Sequence, residues 1–138
     1  MKKILVLLFL ISFALPVCAA NWKQIAEKEY VDLDSIEKYT DVYNSRNNNI
    51  YSFWIKSLND KTSFFTDYEK SYNKKIWYKM TRNLIDCKNK TITLKSITIY
   101  DLKRQVIDTY EVPDYAIKWN SIIPDSVGEG YYYGVCQP

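Results

Sequence analysis

The 138-residue sequence contains no histidine, three glycines and three cysteines. Histidine is the commonest general base and zinc ligand, so its absence excludes Ser-His-Asp and Cys-His catalytic arrangements and most zinc sites. The glycines form no phosphate-binding motif, which argues against a nucleotide site. Asp32 and Asp34 offer too few oxygen ligands for calcium, and we interpret them as part of a solvated turn. We therefore predict a non-enzymatic protein without catalytic residues, cofactor or metal.

The first twenty residues have the order of a secretory signal peptide. Two lysines precede an apolar run over residues 4–15, and small residues follow up to Ala20. The run is shorter than the roughly 20 residues that a membrane-spanning helix needs. We predict a signal peptide over residues 1–20 and a mature chain, residues 21–138, that is exported to the periplasm or the cell surface and does not span a membrane. Val17 argues against a lipid anchor on Cys18, because bacterial lipidation favours a small residue before the cysteine.

Removal of the signal peptide leaves a single domain with two cysteines, Cys87 and Cys136. Exported proteins fold in an oxidising compartment, where an even number of cysteines indicates a disulfide. The bond would close a loop of about 50 residues and stabilise the fold by about 4 kcal/mol through chain entropy. Two free buried thiols are the alternative.

Residues 76–110 contain three runs that are rich in β-branched and aromatic residues and are separated by short polar connections. This arrangement predicts an antiparallel meander with a tight turn at residues 88–90. Ile92 and Leu94 share one parity along the second run, whereas Ile97 and Ile99 share the other. A β-bulge near residues 95–96 would place all four side chains on one face.

The segments before the meander are less regular. Residues 50–58 form a run that is apolar on both faces, which predicts a central strand covered on both sides or one that meets a partner. Before it, we predict a short strand at Trp22, a single helical turn over residues 33–38 with Asp34 or Ser35 as its cap, and a loop at residues 46–49.

Two further segments have the spacing of helices. In residues 59–73, aromatic residues recur at helical spacing after Asn59 and Asp60, either of which could be a cap, although a loop is the alternative. Near the C-terminus, Ser126 and Glu129 have the spacing of a capping box, and a helical periodicity follows, with a strand as the rival. Small residues on this helix would let it lie close to the sheet. The predicted fold is α+β: a single antiparallel sheet with a C-terminal α-helix packed on it and tied by one disulfide.

A set of motifs extends along nearly the whole mature chain: Trp22, residues 30–32 and 34–36, Trp54 with Lys56, Asp86-Cys87, Tyr100-Asp101 with Val106, Trp119, residues 123–124 and 126–129, and Cys136. In order and spacing, this set resembles the bacterial surface-adhesin protein E-like family. The resemblance implies an antiparallel sheet with a C-terminal helix held by the cysteine pair, an exported location and, for the namesake adhesin, binding of host matrix proteins. We expect an exported non-enzymatic binding module; a structural or accessory periplasmic domain without adhesive function is the alternative.

Charge is unevenly distributed along the mature chain. Its net charge is +1 and gives no indication of nucleic-acid binding, but residues 56–95 hold ten Lys or Arg against four Asp or Glu. If the acidic flanking segments do not neutralise this region, it forms a basic, aromatic face for an acidic protein or a sulfated polysaccharide. The sequence is also compatible with a homodimer. The predicted partner surface comprises Lys70, Lys74, Lys75, Trp77, Tyr78, Lys79 and Arg82.

Overall fold

An antiparallel β-sheet forms the framework of the protein in the computed structural model, which describes residues 20–40 and 49–137. Nearly all of the predicted signal peptide and most of the loop predicted at residues 46–49 lie outside the described residues. The strands are β1 (Trp22–Ala26), β2 (Glu29–Lys38), β3 (Ile50–Leu58), β4 (Ile76–Asp86), β5 (Thr91–Asp101), β6 (Val106–Glu111) and β7 (Asn120–Ser121). The helices are α1 (Ser63–Tyr72) and α2 (Val127–Cys136), and a 3-10 turn spans Asp114–Ala116.

Strands β1 to β6 lie side by side in sequence order, each antiparallel to the next, and β7 pairs with the beginning of β5. The predicted meander corresponds to β4, β5 and β6. The predicted sheet with a C-terminal helix and a Cys87–Cys136 disulfide is therefore confirmed in outline. Helix α1, between β3 and β4, decides the helix-or-loop alternative for residues 59–73 in favour of a helix, and it adds a second helix to the predicted fold.

The predicted bulge in β5 is present at Lys95. Arg82 pairs with Ser96 and the next residue of β4 pairs with Leu94, so Lys95 has no counterpart on β4. A residue without a counterpart reverses the alternation of side chains beyond it. The four apolar positions of β5 that differ in parity consequently lie on one face of the sheet, as the sequence predicts.

The helical turn predicted over residues 33–38 is wrong, because these residues continue strand β2. The Ser35 hydroxyl does not cap a helix. It accepts a hydrogen bond from the Trp54 backbone N–H at 2.9 Å and donates one to the Asp32 carbonyl at 2.7 Å, within the irregular part of the β2–β3 pairing. Asp32 and Asp34 accordingly lie in a strand and not in the predicted turn.

Both helices contribute side chains to clusters on the same face of the sheet. Val135 of α2 packs in a buried cluster with Phe53 and Ile55 of β3, and Phe65 of α1 packs in a second cluster with Ile99 of β5. The register aligns the corresponding residues of β3, β4 and β5 on this face. Strand β3 is thus a central strand, as predicted, but the helices cover only one of its two faces.

The two helices begin differently. The N-cap of α1 is Thr62 and not the predicted Asn59 or Asp60, whose side chains instead accept backbone hydrogen bonds within the preceding loop. The predicted N-cap of α2 is confirmed, because the Ser126 hydroxyl accepts a hydrogen bond from the Glu129 N–H at 3.3 Å. The Glu129 carboxylate in return accepts the N–H of residue 125 rather than that of Ser126.

Candidate binding surface

The three lysines of the predicted surface lie where α1 connects to β4. Lys70 is in the last turn of α1, and Lys74 and Lys75 follow the left-handed residue Asn73 that ends the helix. All three lysines are exposed. Two open grooves of about 510 and 320 Å³ meet at Lys74 and Lys75.

Three other connections carry cations to the same end of the sheet. In an antiparallel meander, alternate connections lie at the same end, which places the β1–β2, β3–α1 and β5–β6 turns beside the α1–β4 loop. Lys28, Lys61 and Arg104 occupy left-handed positions in these turns, with φ of 62°, 64° and 63°. We call the cations in these four connections and in the last turn of α1 the basic end. They are Lys28, Lys61, Lys70, Lys74, Lys75, Lys103 and Arg104.

Sequence reasoning missed four members of the basic end, because the count of charges in residues 56–95 follows the chain and not the topology. The signal available in the sequence was the position of these cations in short polar turns between strands. Lys28 and residues 103–104 lie outside that count, and Lys61 lies within it but outside the predicted surface.

The carboxylates at this end leave most of the cations unpaired. Glu69 binds Lys75 at 2.9 Å and also accepts the Ile76 N–H at 3.0 Å, and the hydrogen bond from Lys75 is the main cause that lowers the pKa of Glu69. The Asp101 carboxylate accepts two backbone N–H groups of the β5–β6 turn. Within the part of the chain that the structure describes, the other six cations of the basic end have no carboxylate within 4 Å.

Aromatic rings and one lysine continue this surface on the sheet face opposite the helices. Lys56 Nζ lies 4.8 Å from the ring centroid of Tyr78, 5.8 Å from that of Trp22 and 5.9 Å from that of Trp77. Tyr78 also stacks on Tyr100 at 4.6 Å. Burial, followed by the neighbouring Tyr100, raises the pKa of Tyr78. We call this group of five residues the aromatic patch.

The aromatic patch joins the basic end through Arg104, whose guanidinium carbon lies 5.0 Å from the Trp77 ring centroid. Such cation–π contacts hold charge and ring together at an exposed surface. A third groove, of about 630 Å³, includes Trp77, Lys28, Lys61 and Lys75 in its lining. Rings and cations therefore form one continuous surface.

The two remaining residues of the predicted surface lie elsewhere. Alternation along β4 places Lys79 on the helix-covered face, where its Nζ lies 4.4 Å from the Phe64 ring centroid. Arg82 lies on the same face as Tyr78, but it is ion-paired with Glu37 at 2.8 Å. The structure thus brings together five of the seven predicted residues and separates Lys79 and Arg82 from them.

Among residues 20–40 and 49–137, no three His, Cys, Asp or Glu side chains converge in a way that could hold a metal ion. The helices in these two ranges are too short or too polar to cross a bilayer.

The sequence matches a family model described as surface-adhesin protein E over residues 22–137. The fold is similar to that of Haemophilus influenzae protein E. This chain and one crystal form of that protein are 14% identical in sequence and superpose with a TM-score of 0.56. The match covers 84% of this chain and 87% of that one. Another structure of that protein shares 18% identity and a TM-score of 0.53, over 80% of this chain and 77% of that one. No curated protein matches the sequence.

Proposed function

The chain belongs to the surface-adhesin protein E family, and on this basis we propose that it is an exported adhesive module that binds an acidic host matrix protein through its basic end and aromatic patch. The observation that carries this proposal is the continuity between unpaired lysines and half-buried aromatic rings. Charge of one sign steers an acidic partner toward the surface, and aromatic and arginine side chains are the residues that most often anchor protein interfaces.

The mixture of groups favours a protein ligand over a sulfated polysaccharide. A polysaccharide could be held by the lysines alone, whereas the aromatic patch offers Trp22, Trp77 and Tyr78 beside Lys56 as contacts for apolar and aromatic side chains. We therefore expect the aromatic patch to contribute to affinity in a manner that salt does not abolish.

Binding should be measured on a reconstituted basement-membrane matrix and on heparin across a salt series. Lys70→Glu/Lys74→Glu/Lys75→Glu should weaken matrix binding by at least about tenfold at low salt. Raising the salt should narrow this difference, because the screening length is about 8 Å at 0.15 M.

The matched control reverses three exposed lysines outside the basic end, Lys23, Lys38 and Lys118, which gives the same change in net charge. It should bind like the wild type. Equal loss in both variants would indicate a nonspecific charge effect. Failure of the wild-type protein to bind the matrix would favour an accessory periplasmic domain, and binding to heparin that is insensitive to Trp77→Ala would favour a polysaccharide ligand.

Adhesion also requires display at the cell surface. The predicted signal peptide, residues 1–20, would provide export, and we propose that the mature domain becomes accessible outside the cell. Cell fractionation and protease treatment of intact cells test this directly. A chain found only in the periplasm and protected from protease would contradict an adhesive function.

A further inference from the structure

A cleft of about 300 Å³ lies on the helix-covered face of the sheet. Its lining includes Phe64 of α1, Tyr131 of α2 and the floor residues Ser57 and Lys79, with Leu94 and Glu29 at its sides. It is separate from the basic end and from the aromatic patch, because Lys79 and Tyr78 are adjacent in β4 and point to opposite faces.

The cleft contains two charges of opposite sign that do not pair with each other. Glu29 lies opposite Ser57, and Ser57 lies opposite Lys79, so a single strand separates the two charged residues. Neighbouring strands are about 4.8 Å apart, and both side chains are long enough to meet. No ion pair joins them, however, within the part of the chain that the structure describes.

Other contacts hold each charge in place. The Ser57 and Tyr131 hydroxyls donate to Glu29 Oε2 at 2.9 and 3.0 Å, and Lys79 Nζ lies 4.4 Å from the Phe64 ring centroid and 5.5 Å from that of Phe65. Burial and the neighbouring Glu29 carboxylate raise the pKa of Tyr131, so its hydroxyl remains a donor at physiological pH. Glu29 Oε1 and the Lys79 ammonium have no hydrogen-bond partner among the described residues, and both remain available to a ligand.

We propose that this cleft binds a small zwitterion of the class of an apolar α-amino acid. Its carboxylate would bind Lys79, its ammonium group would bind Glu29 Oε1, and its side chain would contact Leu94 and Phe64. A ligand with a single charge would leave the opposite charge of the cleft desolvated and unpaired, which is unfavourable. A zwitterion satisfies both charges at once.

The test titrates ¹⁵N-labelled protein with L-leucine and follows amide chemical shifts. We expect saturable shifts at Ser57, Lys79 and neighbouring residues of β3 and β4, with a Kd on the order of 1 mM, as suits a ligand of this size. Leucinamide lacks the carboxylate and 4-methylpentanoate lacks the ammonium group. Each should bind at least about tenfold more weakly than leucine.

Two variants assign the charges. Lys79→Met keeps an unbranched chain beside Phe64 and should abolish the advantage of leucine over leucinamide. Glu29→Gln keeps an acceptor for Ser57 and Tyr131 and should abolish the advantage of leucine over 4-methylpentanoate. Each variant is first compared with the wild type by its amide spectrum, and the ligand comparison on the wild type remains decisive if either variant misfolds.

Equal binding of all three ligands, or shifts confined to residues outside the cleft, would overturn the proposal. The absence of saturable shifts at millimolar leucine would also overturn it. None of these outcomes bears on adhesion, because the matrix experiment concerns the opposite face and the basic end of the sheet.

Discussion

Gly130 is the position in α2 where an added methyl group should be harmful. A Cβ atom built at Gly130 would lie 2.6 Å from Cγ2 of Ile25, far closer than the usual carbon–carbon contact of about 3.5–4.0 Å. The Ile25 methyl is attached directly to Cβ, so relief requires a change of rotamer in Ile25 or a shift of the helix away from β1.

The sign of the effect follows from two opposing contributions. In a helix, alanine is favoured over glycine by about 1 kcal/mol, whereas overpacking costs typically about 1–3 kcal/mol. We expect Gly130→Ala to lower the free energy of unfolding by about 1 kcal/mol. Gly134→Ala is the matched control in the same helix, since its Cβ would lie at an ordinary 3.5 Å from Cδ1 of Ile25, and it should raise that free energy by about 0.5–1 kcal/mol.

The assay is urea unfolding of each variant with the disulfide intact, followed by tyrosine and tryptophan fluorescence. In a background of Ile25→Ala, the obstructing methyl is absent, and Gly130→Ala should become stabilising. A Gly130→Ala variant as stable as Gly134→Ala would refute the close approach of α2 to β1, and a cycle without coupling to Ile25 would refute its cause.

Three further predictions concern stability and processing. Cys136→Ser should lower the free energy of unfolding by about 2–5 kcal/mol in urea, because it removes a bond that closes a loop of 49 residues; an unchanged midpoint under oxidising conditions would contradict this. Lys95→Met should lower the free energy of unfolding by about 1–3 kcal/mol in thermal unfolding, because the buried Lys95 ammonium binds Asp114 at 2.7 Å. The Lys95 hydrogen bond lowers the pKa of Asp114. The stabilisation of the fold by this ion pair is therefore present at neutral pH and is lost as the pH falls through that lowered pKa. A difference in unfolding free energy between Lys95→Met and the wild type that does not shrink below about pH 4 would contradict the ion pair. Mass spectrometry of the exported protein should find Asn21 at the N-terminus, and an acylated Cys18 would contradict that site of processing.

The meander could be predicted from the sequence because its signals are local. The β-branched runs, the short polar connections and the change of parity around Lys95 are all visible within a few residues, and each has one structural explanation. The capping spacing of Ser126 and Glu129 likewise predicts the beginning of α2. In these regions, local preference and tertiary structure agree.

Strand β2 could not be predicted in full, because its residues have two local interpretations. Asp34 and Ser35 are as suitable for a helix cap as for an irregular strand, and only pairing with β3 decides between them. The Ser35 hydroxyl bonds to Trp54, which is 19 residues distant in the chain. A contact of this range leaves no local trace in residues 33–38.

The sequence by itself determined the class of fold, the positions of the meander and of α2, the cysteine pair and the family resemblance. Only the tertiary structure decided the proposed binding surface, because the antiparallel order brings four separate connections to one end of the sheet, whereas alternation along β4 sends Lys79 to the face opposite Tyr78. The same alternation places Lys79 beside the cleft that contains Glu29. Charges that are close in the chain are separated, because side-chain direction in a strand reverses at every residue. Charges that are distant in the chain are brought together, because alternate connections of the meander lie at the same end of the sheet.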